Sequence, residues 1–92
     1  MSEGPFRVEL APVAQRQLRR LPPGDAARLR TPIRGLATDP RPPGAVKLAG
    51  SPFWRLRVGD LRIVYAIREA DHLVIVLKVA RRAESTYRRL DR

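Results

Sequence analysis

The stretch that most constrains this chain is Phe53-Trp54-Arg55-Leu56-Arg57-Val58-Gly59-Asp60-Leu61-Arg62-Ile63-Val64-Tyr65. Two alternating runs flank Gly59-Asp60, with glycine at the first central position of a two-residue turn. Such a turn fixes register: Val58 opposes Leu61, Arg57 opposes Arg62, Leu56 opposes Ile63, Arg55 opposes Val64 and Trp54 opposes Tyr65. One face then carries Trp54, Leu56, Val58, Leu61, Ile63 and Tyr65 and has to be packed against something apolar. The other carries Arg55, Arg57 and Arg62, with Val64 beside them. Like charges directly opposite each other are unfavourable, so an anion lying over Arg57 and Arg62 would relieve the pair. The plainer alternative is a solvated arginine face.

The rest of the chain supplies the packing partner. Phe6 to Leu10 alternates as a short strand, and Pro12 suits the first turn of a helix. Ala14, Leu18 and Leu21 form one apolar stripe. Pro22-Pro23-Gly24 breaks that helix. A second follows, with Ala26, Leu29, Ile33 and Leu36 on one face, Asp25 near its start, and Pro32 expected to kink or restart it. Asp39 to Gly44 reads as a stiff, extended loop. Leu73 to Ala80 is nearly all apolar, as in a central strand covered on both faces. A short helix is expected from about Glu84 to Leu90. The pattern predicts an α+β fold: a twisted, mainly antiparallel sheet of about four strands, an N-terminal helical hairpin on one face, and a short C-terminal helix. Residues 1–92 read as one domain.

Charge narrows the function. Nineteen Lys and Arg against nine Asp and Glu give +10, and all the cations but Lys47 and Lys78 are arginine. A domain so basic meets a polyanion, either nucleic acid or an acidic protein. Arginine suits bidentate phosphate contacts, although a GC-rich coding sequence also raises its share. Without cysteine and with His72 as the lone histidine, no thiolate nucleophile or histidine metal cluster is available, and no cofactor is expected. Asp60 and Asp71 sit at turns and Glu84 is isolated, so no carboxylate cluster offers to hold metals. No apolar segment follows the first residues as a secretion signal, and none is long enough to span a bilayer. The expectation is a soluble, cytoplasmic protein.

Lys47-Leu48-Ala49-Gly50, then Trp54 to Tyr65, then Val79-Ala80-Arg81-Arg82 with Tyr87 following, resemble the RelE/ParE family of type II toxins. The helical hairpin fits the family layout, so the resemblance spans almost the whole chain. It implies a RelE-like fold and, in the RelE branch, a ribosome-dependent mRNA endonuclease. Carried over residue by residue, Arg55 and Arg57 stand where the family has basic residues, often lysine, and Arg62 matches the strand arginine. Arg82 or Arg81 matches the arginine after the last strand, and Tyr87 matches the tyrosine of the C-terminal helix. Arg55, Arg57, Arg62, Arg82 and Tyr87 are the catalytic candidates; Lys47, Arg55, Arg57 and Arg81 are the RNA-binding ones. The implied partners are mRNA on the ribosome and an acidic cognate antitoxin that folds on binding into a toxin–antitoxin hetero-oligomer.

Arginine cannot shuttle a proton as lysine can, so Arg55 and Arg57 would act as electrostatic clamps. Proton transfer then falls to Tyr87, whose phenol needs surrounding cations to lower its pKa. The resemblance equally admits a ParE-like inhibitor of DNA gyrase without nuclease activity, and the charge alone admits a plain RNA-binding module. Tyr65, Trp54 and His72 carry no chemistry in this reading: the first two share the core face, and His72 lies in an exposed bend.

Overall fold

The computed structural model describes residues 4–81. The chain enters as β1 (Arg7–Leu10), and Ala11, still extended, hands over to α1 (Pro12–Arg20). Pro12 is preorganised for the first helical turn, where its missing N–H removes nothing. Arg19 and Arg20 end α1, where cations suit the negative end of the helix dipole. Leu21 and Pro22 break the helix for only two residues, because Pro23 itself opens α2 (Pro23–Gly35). Asp25 lies in the first turn of α2, and the helix runs uninterrupted through Pro32. Pro32 therefore does not restart the helix.

Beyond the loop come β2 (Val46–Lys47), β3 (Phe53–Val58), β4 (Leu61–Arg68), a single 3-10 turn at Glu69–Asp71, and β5 (Leu73–Arg81). The sheet has five strands in the order β1-β5-β4-β3-β2. It is antiparallel except at β1, which runs parallel to β5. The two differences from the sequence reading have simple causes. Two residues are too few for β2 to show any alternation, and nothing in β1 alone announces that its partner is the last strand.

The core lies between the helices and one sheet face. Ala14, Leu29, Ile33 and Leu36 meet Leu56, Leu61, Ile63, Tyr65, Val74, Val76 and Val79 there. All of these except the three β5 valines are residues that the helical stripe and the hairpin parity select. β5 is central as expected, but its burial alternates. Val74, Val76 and Val79 are buried, while Leu73, Ile75, Leu77 and Ala80 are only half-buried. Among the described residues no charged side chain is buried, and no helix is long and apolar enough to cross a membrane. The C-terminal helix expected from Glu84 to Leu90 lies outside the described residues.

Candidate nucleic-acid interface

Gly59 has φ of +63°, and His72 is the only non-glycine with positive φ among the described residues. Positive then negative φ is the type II′ pattern, whose twist matches that of the strands it joins. The β3–β4 register that results is the one the sequence dictates, pair for pair from Trp54↔Tyr65 to Val58↔Leu61. Arg57 stands directly across from Arg62, and Arg55 across from Val64. At such a pair the Cβ atoms are roughly 5 Å apart. Arg57 is exposed; Arg55 and Arg62 are half-buried. The row through Arg55 and Val64 continues to Lys78 on β5. An exposed fourth cation thus joins the face, one that sequence reasoning missed.

Lys78 arrives there because of a bulge. Tyr65 pairs with Val76 but Val64 pairs with Lys78, leaving Leu77 as the extra residue. Strict alternation from Val74 and Val76 would have driven Lys78 into the core and Arg81 outward. The extra residue reverses both. The carboxamide oxygen of Gln17 on α1 accepts the N–H of Val79 at 2.8 Å, just past the bulge and beyond the end of β1. This caps an otherwise bare strand edge.

Arg81 accordingly lies opposite Leu61, on the helix side of the sheet. Its guanidinium pairs with both Asp25 and Asp60. Arg28 joins the cluster, 3.0 Å from Asp25 and 3.4 Å from Asp60. The hydrogen bond from Arg81, opposed by some desolvation, holds the Asp60 carboxyl below its ordinary range. Asp60 first, then Asp25, raise the pKa of Arg81 in return. The cluster ties the start of α2, the hairpin turn and the end of β5 together, and it keeps Arg81 apart from Arg55, Arg57 and Arg62. Lys47 is also apart, since it pairs with Trp54 and so shares the helix-side face at the sheet edge. Arg82 and Tyr87 lie outside the described residues.

The remaining aromatic residues behave as packing. Tyr65 is fully buried and its hydroxyl donates to the Pro40 carbonyl at 2.7 Å. Trp54 is half-buried beneath the Arg41 guanidinium, 5.3 Å from its ring centre. His72 is an exposed left-handed cap on the 3-10 turn. No group of three or more His, Asp or Glu among the described residues is placed to hold a metal ion.

The sheet thus has one cationic face, its register pinned by a two-residue turn, and its other face is packed on a helical hairpin. The family model for the ParE toxin of the type II toxin–antitoxin system, parDE, matches residues 8–86. The chain belongs to the RelE/ParE superfamily of type II toxins. A Methanocaldococcus jannaschii protein named as a candidate toxin RelE1 is 31% identical over 87 residues, covering 90% of this chain and 96% of that one. The toxin resembles the RelBE2 toxin–antitoxin complex of Mycobacterium tuberculosis at 26% identity and TM-score 0.75, over 89% of this chain and 97% of that one. It resembles the RelE–RelB complex of Pyrococcus horikoshii at 25% identity and TM-score 0.76, over 92% of this chain and all of the other. The family match takes in Arg55, Arg57, Arg62 and Lys78 of the toxin's sheet face and stops one residue before Tyr87.

Proposed function

We propose that this toxin is a ribosome-dependent mRNA endonuclease. The observation that carries the reading is the Arg57↔Arg62 pair with Arg55 and Lys78 on the same sheet face. Three neighbouring strands hold these cations on one face, where a phosphodiester can bridge Arg57 and Arg62. The chain has no cysteine and one histidine, so the nucleophile is assigned to the substrate. The ribose 2′-oxygen attacks the adjacent phosphorus, forming a cyclic phosphate as the bond to the 5′-oxygen breaks. Arg62, Arg57 and Arg55 stabilise the charge growing on the phosphoryl oxygens. Tyr87 takes or orients the 2′-proton. Arg82 supports the leaving oxygen; Arg81 is set aside because two carboxylates already hold it on the other face.

Substituting a 2′-O-methyl group just upstream of the scissile bond should abolish cleavage and leave binding nearly unchanged. Tyr87→Phe should slow cleavage, on the order of a hundredfold or about 3 kcal/mol, with binding again spared. Normal cleavage of the methylated message would overturn the mechanism.

The same toxin pairs with an acidic antitoxin segment that folds over it. The net charge of +10 supports this, as do relatives whose structures are complexes of RelE-type toxins with RelB-type antitoxins. A second reading, inhibition of DNA gyrase, is favoured by the description of the matching family as a ParE toxin. Parallel cell-free translation and gyrase supercoiling reactions separate the two: blocked translation beside intact supercoiling selects the nuclease, and the converse selects the gyrase inhibitor.

A further inference from the structure

Only two lysines occur in the chain, Lys47 and Lys78. Lys47 lies on the helix side of the sheet, but Lys78 lies on the cationic face, in the row Arg55–Val64–Lys78. Two features fix it there. The bulge at Leu77 sets its parity, and the N–H of the next residue, Val79, is held by Gln17 at 2.8 Å. Its side chain is exposed. Arg62 is its diagonal neighbour, two residues from Val64 on the same face of β4. Such neighbours stand roughly 7–8 Å apart, within reach of long side chains. Arg57 therefore flanks Arg62 on the β3 side, and Lys78 flanks it on the β5 side.

Resting on the RNA-cleaving reading above, we infer that Lys78 is the general acid of the cleavage, whose ammonium protonates the 5′-oxygen that leaves. As the bond from phosphorus to that oxygen breaks, its electron pair stays on the oxygen, which takes a proton from Nζ. Water then restores the proton to the neutral amine. The 2′-proton goes separately to Tyr87, so one proton is removed and one supplied. A positioned acid speeds such a departure on the order of a hundredfold or more. Few groups on this face can give up a proton. Arg55, Arg57 and Arg62 hold phosphoryl oxygens but stay protonated, and Arg82 can steady the leaving oxygen only as a charge. Glu9 of β1 shares the face, and its carboxylate is paired with Arg7 at 3.0 Å. Asp60 is held on the helix side by Arg81 and Arg28. Tyr65 points into the core. His72 precedes β5, roughly 20 Å along the strand from Lys78. Lys78 is thus the proton donor of the cationic face among the described residues. With the phosphate bridging Arg57 and Arg62, the leaving oxygen lies toward β5.

A change of leaving atom tests this. Ribosomes carrying a message are mixed with an excess of the full-length toxin, and single-turnover cleavage is followed for the parent and for Lys78→Arg. One message is natural; the other has sulfur in place of the bridging 5′-oxygen at the scissile bond, and a thiolate leaves without needing a proton. Lys78→Arg keeps the charge and loses the donor. It should cut the natural message more slowly, on the order of a hundredfold, and the sulfur message at the parent's rate. Recovery on the sulfur message also shows that the variant is folded and bound. Parent-like cutting of the natural message by Lys78→Arg overturns the proposal. Equal slowing on both messages overturns it too, because Lys78 would then supply position or charge rather than a proton. If the parent itself cuts neither message, the RNA-cleaving reading falls and takes the proposal with it, a result distinct from the other two.

Discussion

Tyr65 shows how one residue can be read correctly from parity alone. It sits across from Trp54 on the face opposite the arginines, and it packs and donates inward to Pro40. Burial pushes its pKa up to about 12. A phenol whose pKa is higher folded than unfolded gives its full stabilisation below about 10, and loses it as pH rises from there through about 12. Tyr65→Phe should therefore be less stable than the parent at pH 8 by about 1–2 kcal/mol, because the Pro40 carbonyl loses its donor. That gap should narrow as pH climbs past 10. Urea midpoints at pH 8, 10 and 11 check both statements; a gap that stays constant would refute the titration. Lys47 and Lys78 were less legible. The face of Lys47 depends on a two-residue strand, and that of Lys78 on a bulge, neither of which leaves a periodic trace.

At the scale of elements, the β3–β4 hairpin was readable throughout because a two-residue turn leaves no freedom of register. The bulge in β5 was not, for a physical reason. When nearly every residue from Leu73 to Ala80 is apolar, a shift of one position changes no pattern, so the placement of Arg81 could not be inferred. The turn itself is held by Gly59, where a Cβ would come within 2.5 Å of the Arg28 guanidinium and φ is +63°. Gly59→Ala should destabilise by about 1–2 kcal/mol through the strained backbone. Arg28→Ala should relieve only the part due to contact, which a double-mutant cycle on denaturation midpoints measures. Full rescue would mean that the backbone is unstrained there. Pro32 is the opposite case, a residue whose local rule is overridden as the apolar face of Leu29, Ile33 and Leu36 keeps the helix on the core.

At the scale of the whole molecule, cations divide between two surfaces, and salt can tell them apart. Neutralised phosphates release counterions, so binding to RNA or ribosomes should weaken steeply with ionic strength. Arg55→Ala and Arg57→Ala should each flatten the log–log slope by about one. Arg81→Ala should leave the slope unchanged, since its charge is matched by Asp25 and Asp60 on the helix side. A flattened slope for Arg81→Ala would mean that the helix side also contacts the polyanion. The parallel pairing of β1 with β5 matters in time as well as in space. β1 finds its partner only when Leu73 to Val76 have been made, whereas the helical hairpin and the β3–β4 ribbon can form from neighbouring residues. Such distant pairings are slow to form, and a lone two-stranded ribbon is marginal in water. The arginine face therefore becomes rigid only once β5 has been made and has joined β4 and β1. If messages on ribosomes are its target, the order of its strands shields the ribosome that is still building it.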